Sequence, residues 1–363
     1  MANDNKTYQE QIYIDNTIRL REILNTLPYF ARDYFRSIEP TTSSKTRISY
    51  AYDIRIFFQF LIDQNPYFKN YKMNDFKVDD LEKLSTIDIE EFQEYLKVYH
   101  SKENRLLTNE EKGLSRKMSS LRSFYNYYYK RRIIEKNPTA LVEMPKLHEK
   151  AIIRLDIDEV AMLLDHVENC GSKLTGQALA YYNKTKERDL AILTLLLGTG
   201  IRVSECVGLN VDDVDFKNNG ITVTRKGGNQ MVIYFGEEVE NALRTYLENT
   251  RAHTTPLPDH EDALFLSTQR KRMGVQAIEN MVKKYARQVT PNKKITPHKL
   301  RSTYGTSLYK ETGDIYLVAD VLGHKDVNTT KKHYAAIDDD RRRSAANIVK
   351  LRETLKKPNI DEI

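Results

Sequence analysis

Apolar side chains recur at three- and four-residue intervals through much of residues 8–134, which is the spacing of a helix with one buried face. The pattern predicts an amphipathic segment followed by four helices, over residues 8–25, 27–38, 44–63, 86–99 and 115–132. The stretch from Pro40 to Ser44 offers N-cap residues to the third of these elements. Pro138 stops the last one, because proline disfavours helix in the residue before it.

The pattern changes in the second half of the chain. Apolar residues alternate over 221–223 and again over 232–234, on either side of a Gly-Gly pair, and this predicts a β-hairpin. The acid-rich stretch that begins at Asp156 predicts the start of another helix. Further helices are predicted over residues 186–197, 237–249, 274–289, 298–311, 315–322, 326–335 and 341–356.

These patterns predict a mainly α fold with a small β-sheet, arranged in two domains. The predicted limits are an N-terminal extension over 1–25, a helical domain over 26–140, a linker over 141–153, an α+β domain over 154–340 and a tail helix over 341–363. A length of 363 residues is sufficient for two domains that each bury a core of their own.

The net charge is +6, and the basic residues are concentrated in two blocks. Residues 112–136 hold eight Lys or Arg and one acid, and residues 270–310 hold eleven and one. One basic block in each half suits a protein that grips duplex DNA through its phosphates from two sides, although two solvated helix faces would give the same pattern. The predicted DNA contacts are Lys45, Arg47, Arg55, Arg116, Lys117, Arg122, Arg225 and Lys299. Aromatic residues accompany the first block at Phe124, Tyr125, Tyr127, Tyr128 and Tyr129, and most of them are expected in the core.

Two cysteines, Cys170 and Cys206, make no disulfide framework and match no metal-binding spacing. The first residues lack the apolar centre of a signal peptide. The longest strongly apolar run, 191–197, is too short to span a membrane. We therefore expect a cytoplasmic protein with no membrane partner.

Six residues in the last 165 positions form a set with a common chemistry: Arg202, Lys226, His298, Arg301, His324 and Tyr334. Two arginines, a lysine, two imidazoles and one phenol suit attack on a phosphodiester by a tyrosine. No carboxylate cluster of the kind that binds magnesium accompanies them in the sequence, so neither a metal nor another cofactor is expected.

Each member of the set has a task that its side chain can perform. About 0.1% of free tyrosine is ionised at pH 7, so Tyr334 needs a base or cationic surroundings to act as the nucleophile. Arg202 and Arg301 match the two non-bridging oxygens of a phosphodiester, because a guanidinium donates two parallel hydrogen bonds. Lys226 at a hairpin tip is suited to protonate the leaving oxygen. His298 would accept the phenolic proton or donate to a phosphate oxygen, and His324 would donate to the other oxygen.

Simpler interpretations exist for each residue taken alone. A single Arg, Lys or His is usually a surface or structural residue, and Gly198-Thr-Gly200 would serve equally as a helix C-cap. The chain has 23 tyrosines, among which Tyr304, Tyr309 and Tyr316 compete with Tyr334. Glu205 lies one helical turn after Arg202, where it would support that residue or His298, or simply be an exposed helix former. The six residues occurring together in this order favour the catalytic interpretation.

At these residues the chain resembles the tyrosine recombinases, the family of phage integrases and Xer proteins. Residues 187–192 and 224–228 look most like the single-protein Xer variants of Gram-positive bacteria. The resemblance implies that Tyr334 attacks the scissile phosphate and forms a 3′-phosphotyrosyl link, which a second DNA strand then resolves. It also implies that Glu205 supports the site.

The resemblance further implies a clamp, with a helical core-binding domain on one DNA face and the α+β catalytic domain on the other. The expected assembly is a homo-tetramer on two DNA sites with paired half-sites, and a monomer or dimer off DNA. The tail at 341–363 would then be exchanged between protomers.

Two departures from the Xer pattern leave the biological role open between chromosome-dimer resolution and integration of a mobile element. Tyr334 follows His324 by ten residues where Xer proteins use nine, and Ser302 stands where they usually have histidine. Two other activities are compatible with the same fold. One is DNA relaxation of the type IB topoisomerase kind, and the other is DNA binding without catalysis.

Overall fold

A computed structural model describes residues 7–100, 104–148, 153–225, 228–323 and Val327. The described residues form two compact units, one within Met1–Lys150 and one within Ala151–Ile363. The predicted helices over 326–335 and 341–356 lie outside the described residues, apart from Val327.

The described residues of the first unit form five α-helices: α1 Tyr8–Leu24, α2 Ala31–Ser37, α3 Ser44–Gln64, α4 Thr86–Tyr95 and α5 Glu111–Lys130. Their presence confirms the helical periodicity seen in the sequence. Side chains with oxygen acceptors begin three of them, because the first backbone N–H groups of a helix have no partner within it. The Thr7 and Ser85 hydroxyls each accept from the third helical N–H in a capping box, and the Ser43 hydroxyl accepts from the Thr46 N–H at 3.2 Å.

The segment over 8–24 is part of this unit. Leu20 and Ile23 of α1 are buried in the same core as the other helices, and the Asn16 amide donates to the Ser44 hydroxyl of α3 at 3.1 Å. The described part of the predicted N-terminal extension is therefore a helix of this domain. Its apolar face is buried against the domain core, to which α3 contributes.

The prediction of a helix over 86–99 is wrong beyond Tyr95, where α4 ends. Val98–His100 forms a short strand, β1, that pairs antiparallel with β2, Leu106–Thr108. Three-residue strands carry too few positions to show a clear period of two, which is why the sequence pattern missed this hairpin.

Aromatic rings fill the centre of the first unit. Phe124, Tyr125 and Tyr128 of α5 are buried, as expected from their position beside the first basic block, whereas Tyr129 is exposed. Phe124 packs edge-on against Phe58 of α3 and Tyr34 of α2, with ring centroids 6.1 and 5.2 Å apart. Such edge-to-face pairs add about 0.5–1.5 kcal/mol each to the burial of their apolar area.

The second unit contains seven α-helices and one sheet among its described residues. The helices are α6 Ile157–Asn169, α7 Gly176–Thr199, α8 Val203–Gly208, α9 Glu237–Thr245, α10 Val275–Val289, α11 Pro297–Thr312 and α12 Ile315–Leu322, and α9 continues as a π-helix over Tyr246–Arg251. The strands β3 Val214–Asp215, β4 Gly220–Thr224 and β5 Gln230–Tyr234 form an antiparallel sheet in the order β3-β4-β5. The mainly helical fold with a small sheet and the predicted hairpin are both confirmed.

The long helix α7 is the central element of this unit. Residues 191–196 are buried throughout, and the buried Asp189 carboxylate joins α7 to α10 by accepting from the Tyr285 hydroxyl at 3.0 Å. Arg188 also donates to Asp189, at 2.7 Å, so this buried charge is paired. Within the part of the chain that the structure describes, no helix is both long enough and apolar enough to cross a lipid bilayer.

Candidate active site

Arginine side chains converge on the carboxyl end of α12, and two of them, Arg202 and Arg301, are candidate active-site residues. The last carbonyl groups of a helix have no partner within it and carry the negative end of the helix dipole, so they attract cations. Three arginines from three other parts of the second unit donate to carbonyl oxygens at this end: Arg202, Arg225 and Arg301.

Arg202 follows the break between α7 and α8. Gly200 ends α7 with φ +62°, a left-handed conformation that glycine adopts without steric cost, and the chain then turns into α8. Gly198-Thr-Gly200 is thus a helix C-cap that also places Arg202. The Arg202 guanidinium donates to the Gly323 carbonyl at 3.2 Å, and 36% of its side chain is exposed.

Glu205 is buried, with 3% of its side chain exposed, which excludes its interpretation as an exposed helix residue. Its carboxylate accepts from the Arg202 guanidinium and from the Arg202 backbone N–H, both at 2.7 Å. Two hydrogen bonds across one helical turn fix the direction of the Arg202 side chain. Glu205 therefore orients Arg202 and balances its charge within the fold.

Arg301 lies on α11 and is 4% exposed. One Nη atom donates to the Gly200 carbonyl at 2.6 Å, and the other donates to the Leu322 carbonyl. The side chain thereby ties the end of α7 to the end of α12. Arg202 and Arg301, far apart in the sequence, are brought to the same helix end.

Arg225 was expected to contact DNA, but its side chain turns inward. It follows β4, and only 10% of the side chain is exposed. Its two Nη atoms donate to the carbonyls of Val321 and Leu322, both at 2.7 Å. The nearer Nη atom is 3.9 Å from the Glu205 carboxylate. The sequence did not predict that Arg225 is buried, because the local sequence of a hairpin does not show which way a single arginine side chain points.

Two glycines make the convergence sterically possible. A Cβ at Gly200 would stand 2.4 Å from the Tyr304 ring and 2.9 Å from Leu322. A Cβ at Gly323, where φ is +62°, would stand 2.2 Å from Nη1 of Arg225. Since real Cβ atoms do not approach this closely, a side chain at Gly323 would displace the Arg225 guanidinium, and one at Gly200 would displace the Tyr304 ring and Leu322.

His298 is exposed in the first turn of α11, one turn before Arg301 on the same helix. The neighbouring Lys299 is half-buried and Ser302 donates to the His298 carbonyl at 3.0 Å.

Three other predicted catalytic residues lie outside the described residues: Lys226, His324 and Tyr334. Lys226 directly follows Arg225 in the chain, and His324 directly follows Gly323.

The competing tyrosines lie in surroundings that do not favour a nucleophile. Tyr304 packs against Gly200, and burial raises the pKa of its phenol, which opposes ionisation. Tyr309 is buried in the small core between α11 and α12. Tyr316 is exposed, but it lies in the first turn of α12, at the opposite end from the arginines.

Four of the predicted DNA contacts in the first unit are engaged within the fold. Arg47 is buried and donates to Glu39 at 2.6 Å, and Lys117 is buried 3.8 Å from Asp53. Arg116 forms a two-pronged pair with Asp53 but leaves 45% of its side chain exposed, and Arg122 donates to two backbone carbonyls. These contacts favour structural roles for Arg47, Lys117 and Arg122. Lys45 is exposed and Arg55 stacks on Tyr52, with 4.9 Å from its Cζ to the ring centroid.

The described part of the site is suited to holding a phosphodiester. Guanidinium groups recognise the paired oxygens of phosphate, and here two of them are held by backbone carbonyls and a buried carboxylate. Their positions are fixed before any ligand binds, which is the condition for stabilising charge that develops during a reaction.

Comparison with known proteins agrees with this chemistry. The profile described as "Phage integrase family" matches residues 154–341. The chain is 34% identical over 326 residues to tyrosine recombinase XerC of Caldanaerobacter subterraneus subsp. tengcongensis, covering 87% of this chain and 84% of that protein. It is 31% identical over 350 residues to tyrosine recombinase XerS of Streptococcus uberis, covering 89% and 96%.

A solved structure shows the same fold. The Tn1549 transposon integrase in complex with circular intermediate DNA superposes with a TM-score of 0.61 at 20% identity, over 86% of this chain and 97% of that one. This neighbour thus shares the mainly helical fold with a small sheet that the sequence predicts.

Proposed function

This chain belongs to the phage integrase family, the tyrosine recombinases, and on that premise we propose that it cleaves and rejoins DNA through a 3′-phosphotyrosyl link to Tyr334. It is an enzyme of site-specific DNA recombination. The convergence of Arg202 and Arg301 on the end of α12, immediately before His324, is the observation that carries the proposal.

Each remaining member of the site has a proposed step. Tyr334 attacks the scissile phosphorus, Arg202 and Arg301 bind the non-bridging oxygens as negative charge grows, and Glu205 holds Arg202 in place. Lys226 gives a proton to the departing 5′-oxygen. His298 accepts the phenolic proton or donates to phosphate, and His324 donates to phosphate. No metal or other cofactor is assigned to any step.

The proposed assembly is a homo-tetramer that holds two DNA sites, each with paired half-sites. We propose the helical domain over 26–140, together with α1, and the catalytic domain over 154–340 as two sides of a clamp, joined by the linker over 141–153. Within the helical domain, Lys45, Arg55 and the exposed part of Arg116 are the better-supported phosphate contacts. A cytoplasmic location is proposed from the sequence alone.

We propose chromosome-dimer resolution as the biological role, since the XerC and XerS relatives match most of the chain. The longer spacing between His324 and Tyr334 favours the competing proposal, integration of a mobile element. DNA relaxation of the type IB topoisomerase kind shares the cleavage step but needs only one site. A synapsis assay with two DNA sites distinguishes it from recombination.

Covalent trapping of the wild-type protein tests the proposed function directly. On a nicked suicide substrate we expect a protein–DNA adduct that forms at full rate in excess EDTA, because cationic side chains supply the charge stabilisation. Mass spectrometry should place the nucleotide on the peptide that contains Tyr334, and sequencing of DNA trapped in cells should reveal the target site.

An adduct that disappears with EDTA and returns with magnesium would contradict the metal-free reaction, provided that a gel shift shows unchanged DNA binding. A nucleotide found on Tyr304, Tyr309 or Tyr316 would overturn the choice of nucleophile. Trapped sequences from a single chromosomal locus would favour dimer resolution, and sequences at the ends of a mobile element would favour integration.

Lys226→Ala is expected to cut a normal phosphodiester slowly and to recover on a 5′-phosphorothiolate. A sulfur leaving group departs without a proton, so a missing general acid no longer matters. Single-turnover cleavage of both substrates is the measurement. Equal slowing on the two would indicate a weakened grip on DNA or move the acid role elsewhere, with His298 the first candidate.

Truncation after about residue 340 is expected to leave binding to a single half-site nearly intact and to remove cooperative binding to full sites. The apolar stripe predicted in the tail, at Ala345, Ile348, Val349 and Leu355, needs a surface to cover it. Half-site and full-site gel shifts at one stated salt concentration measure the difference, because phosphate contacts make affinity salt-dependent. A truncated protein that still binds cooperatively and recombines would show that the tail folds onto its own domain.

A further inference from the structure

The side chain of Arg225 joins the loop end of the β4–β5 hairpin to the end of α12. Both Nη atoms donate to carbonyls of the last helical turn, at 2.7 Å to Val321 and at 2.7 Å to Leu322. Carbonyls at a helix end have no partner within the helix, so Arg225 satisfies the Val321 carbonyl and shares the Leu322 carbonyl with Arg301. The hairpin and α12 are distant in sequence and are held together at this point.

We infer that Arg225 is a positioning residue, which fixes the Lys226-bearing hairpin to the helix end on which Arg202 and Arg301 converge. The inference rests on the proposed function of Lys226 as the general acid. Lys226 is the next residue in the chain, so an anchor at Arg225 sets where its backbone starts. The anchor keeps the loop end of the hairpin beside the arginines proposed to bind phosphate.

The burial of Arg225 argues against a contact with DNA. Only 10% of the side chain is exposed, and Nη2 also lies 3.4 Å from the Met231 sulfur on β5. Desolvation lowers the pKa of Arg225, while the nearby Glu205 carboxylate favours the charged form. A cation in this place is tolerated because a buried carboxylate and the negative end of α12 offset its charge.

The residues next to Arg225 leave space for its guanidinium and hold its backbone. Gly323 has no side chain where a Cβ would stand 2.2 Å from Nη1 and 2.5 Å from Cζ of Arg225. The Arg225 backbone also closes the loop of the hairpin, since its N–H donates to the Asn229 carbonyl at 2.7 Å and its carbonyl accepts from the Gly228 N–H at 3.0 Å. The side chain and the backbone of one residue thus fix the loop end of the hairpin.

Arg225→Met tests the inference with the phosphorothiolate assay. The variant keeps an apolar side chain of similar length and loses the hydrogen bonds. We expect cleavage of a normal phosphodiester to slow by about 10²-fold, the cost of a misplaced catalytic group. Most of that loss should disappear on the 5′-phosphorothiolate, and affinity for DNA should change little. Lys217→Met, which removes an exposed cation from the turn at the other end of the same sheet, is the matched control and should cleave both substrates normally.

Equal slowing of Arg225→Met on both substrates while Lys226→Ala recovers would overturn the inference and leave the proposed function standing. Weaker DNA binding with a reduced salt dependence would show instead that Arg225 contacts phosphate. If Arg225→Met does not fold, Arg225→Lys takes its place, because it keeps a charge beside Glu205 but loses the two-pronged geometry.

Failure of Lys226→Ala to recover would refute its acid role, and hydrogen exchange then decides the inference alone. In the free protein, Arg225→Met should speed amide exchange in both β5 and the last turn of α12, since each loses its link to the other. Lys217→Met should leave both segments at the wild-type rate. Unchanged exchange in Arg225→Met would show that Arg225 does not hold the hairpin to α12.

Discussion

Tyr334→Phe is expected to bind target DNA as the wild-type protein does and to form no covalent adduct on a nicked suicide substrate. The substitution removes only the phenolic oxygen, which is the atom that attacks phosphorus, and keeps the aromatic ring. Because the nucleophile is removed rather than displaced, the loss should be complete within the limit of detection. Gel shifts measure the binding, and denaturing gels measure the covalent adduct.

His333→Ala provides the control for this prediction. His333 is the residue that falls at the nine-residue spacing of Xer proteins, so it tests whether the longer spacing has been assigned correctly. We expect His333→Ala to retain trapping. An adduct in Tyr334→Phe, or loss of trapping in His333→Ala alone, would refute Tyr334 as the nucleophile.

Arg202→Ala and Arg301→Ala are each expected to slow cleavage by roughly 10²-fold or more while DNA affinity changes much less. A guanidinium that binds developing charge contributes more to the transition state than to the ground state, so its loss appears in the rate. Arg202→Lys and Arg301→Lys should remain slow as well, because an ammonium cannot donate two parallel hydrogen bonds. Single-turnover cleavage at saturating protein separates rate from affinity.

The structure requires a control for folding in these variants. Arg202→Ala removes the nearest charged partner of the buried Glu205 carboxylate, so we expect this variant to lose thermal stability as well. Thermal unfolding should therefore accompany the kinetics, and Arg202→Ala combined with Glu205→Gln should restore stability without restoring cleavage. A variant that cleaves at the wild-type rate but binds tenfold more weakly would show that its arginine is only a phosphate anchor.

Much of the fold could be predicted because the local spacing of apolar residues specifies most of its helices and the β4–β5 hairpin. The stretch that ends at Gly323 illustrates this: apolar spacing predicted a helix over 315–322, and α12 spans Ile315–Leu322. The β4–β5 hairpin followed from alternation about a Gly-Gly pair. The β1–β2 hairpin did not, because three-residue strands depend on their partner strand and carry little pattern of their own.

The candidate site was also predicted only in part from the sequence. Residue types and their order sufficed to nominate Arg202, His298 and Arg301, because the chemistry of a phosphodiester limits which side chains are useful. Burial could not be judged from the sequence, and the prediction of a DNA contact at Arg47 or Lys117 treated any basic residue as available to solvent. The structure gives each of them a carboxylate partner from another element.

The sequence by itself determined the family, the mainly helical fold and the chemical set, since these depend on composition, periodicity and residue order. Only the tertiary structure decided which cations face inward, where Arg202 and Arg301 meet, and that Glu205 is buried between arginines. Those properties arise from contacts between residues as far apart as Arg202 and Gly323, which come together only when the helices pack. Local spacing specifies a helix and its ends, but the direction in which a long charged side chain turns depends on the neighbours that packing supplies.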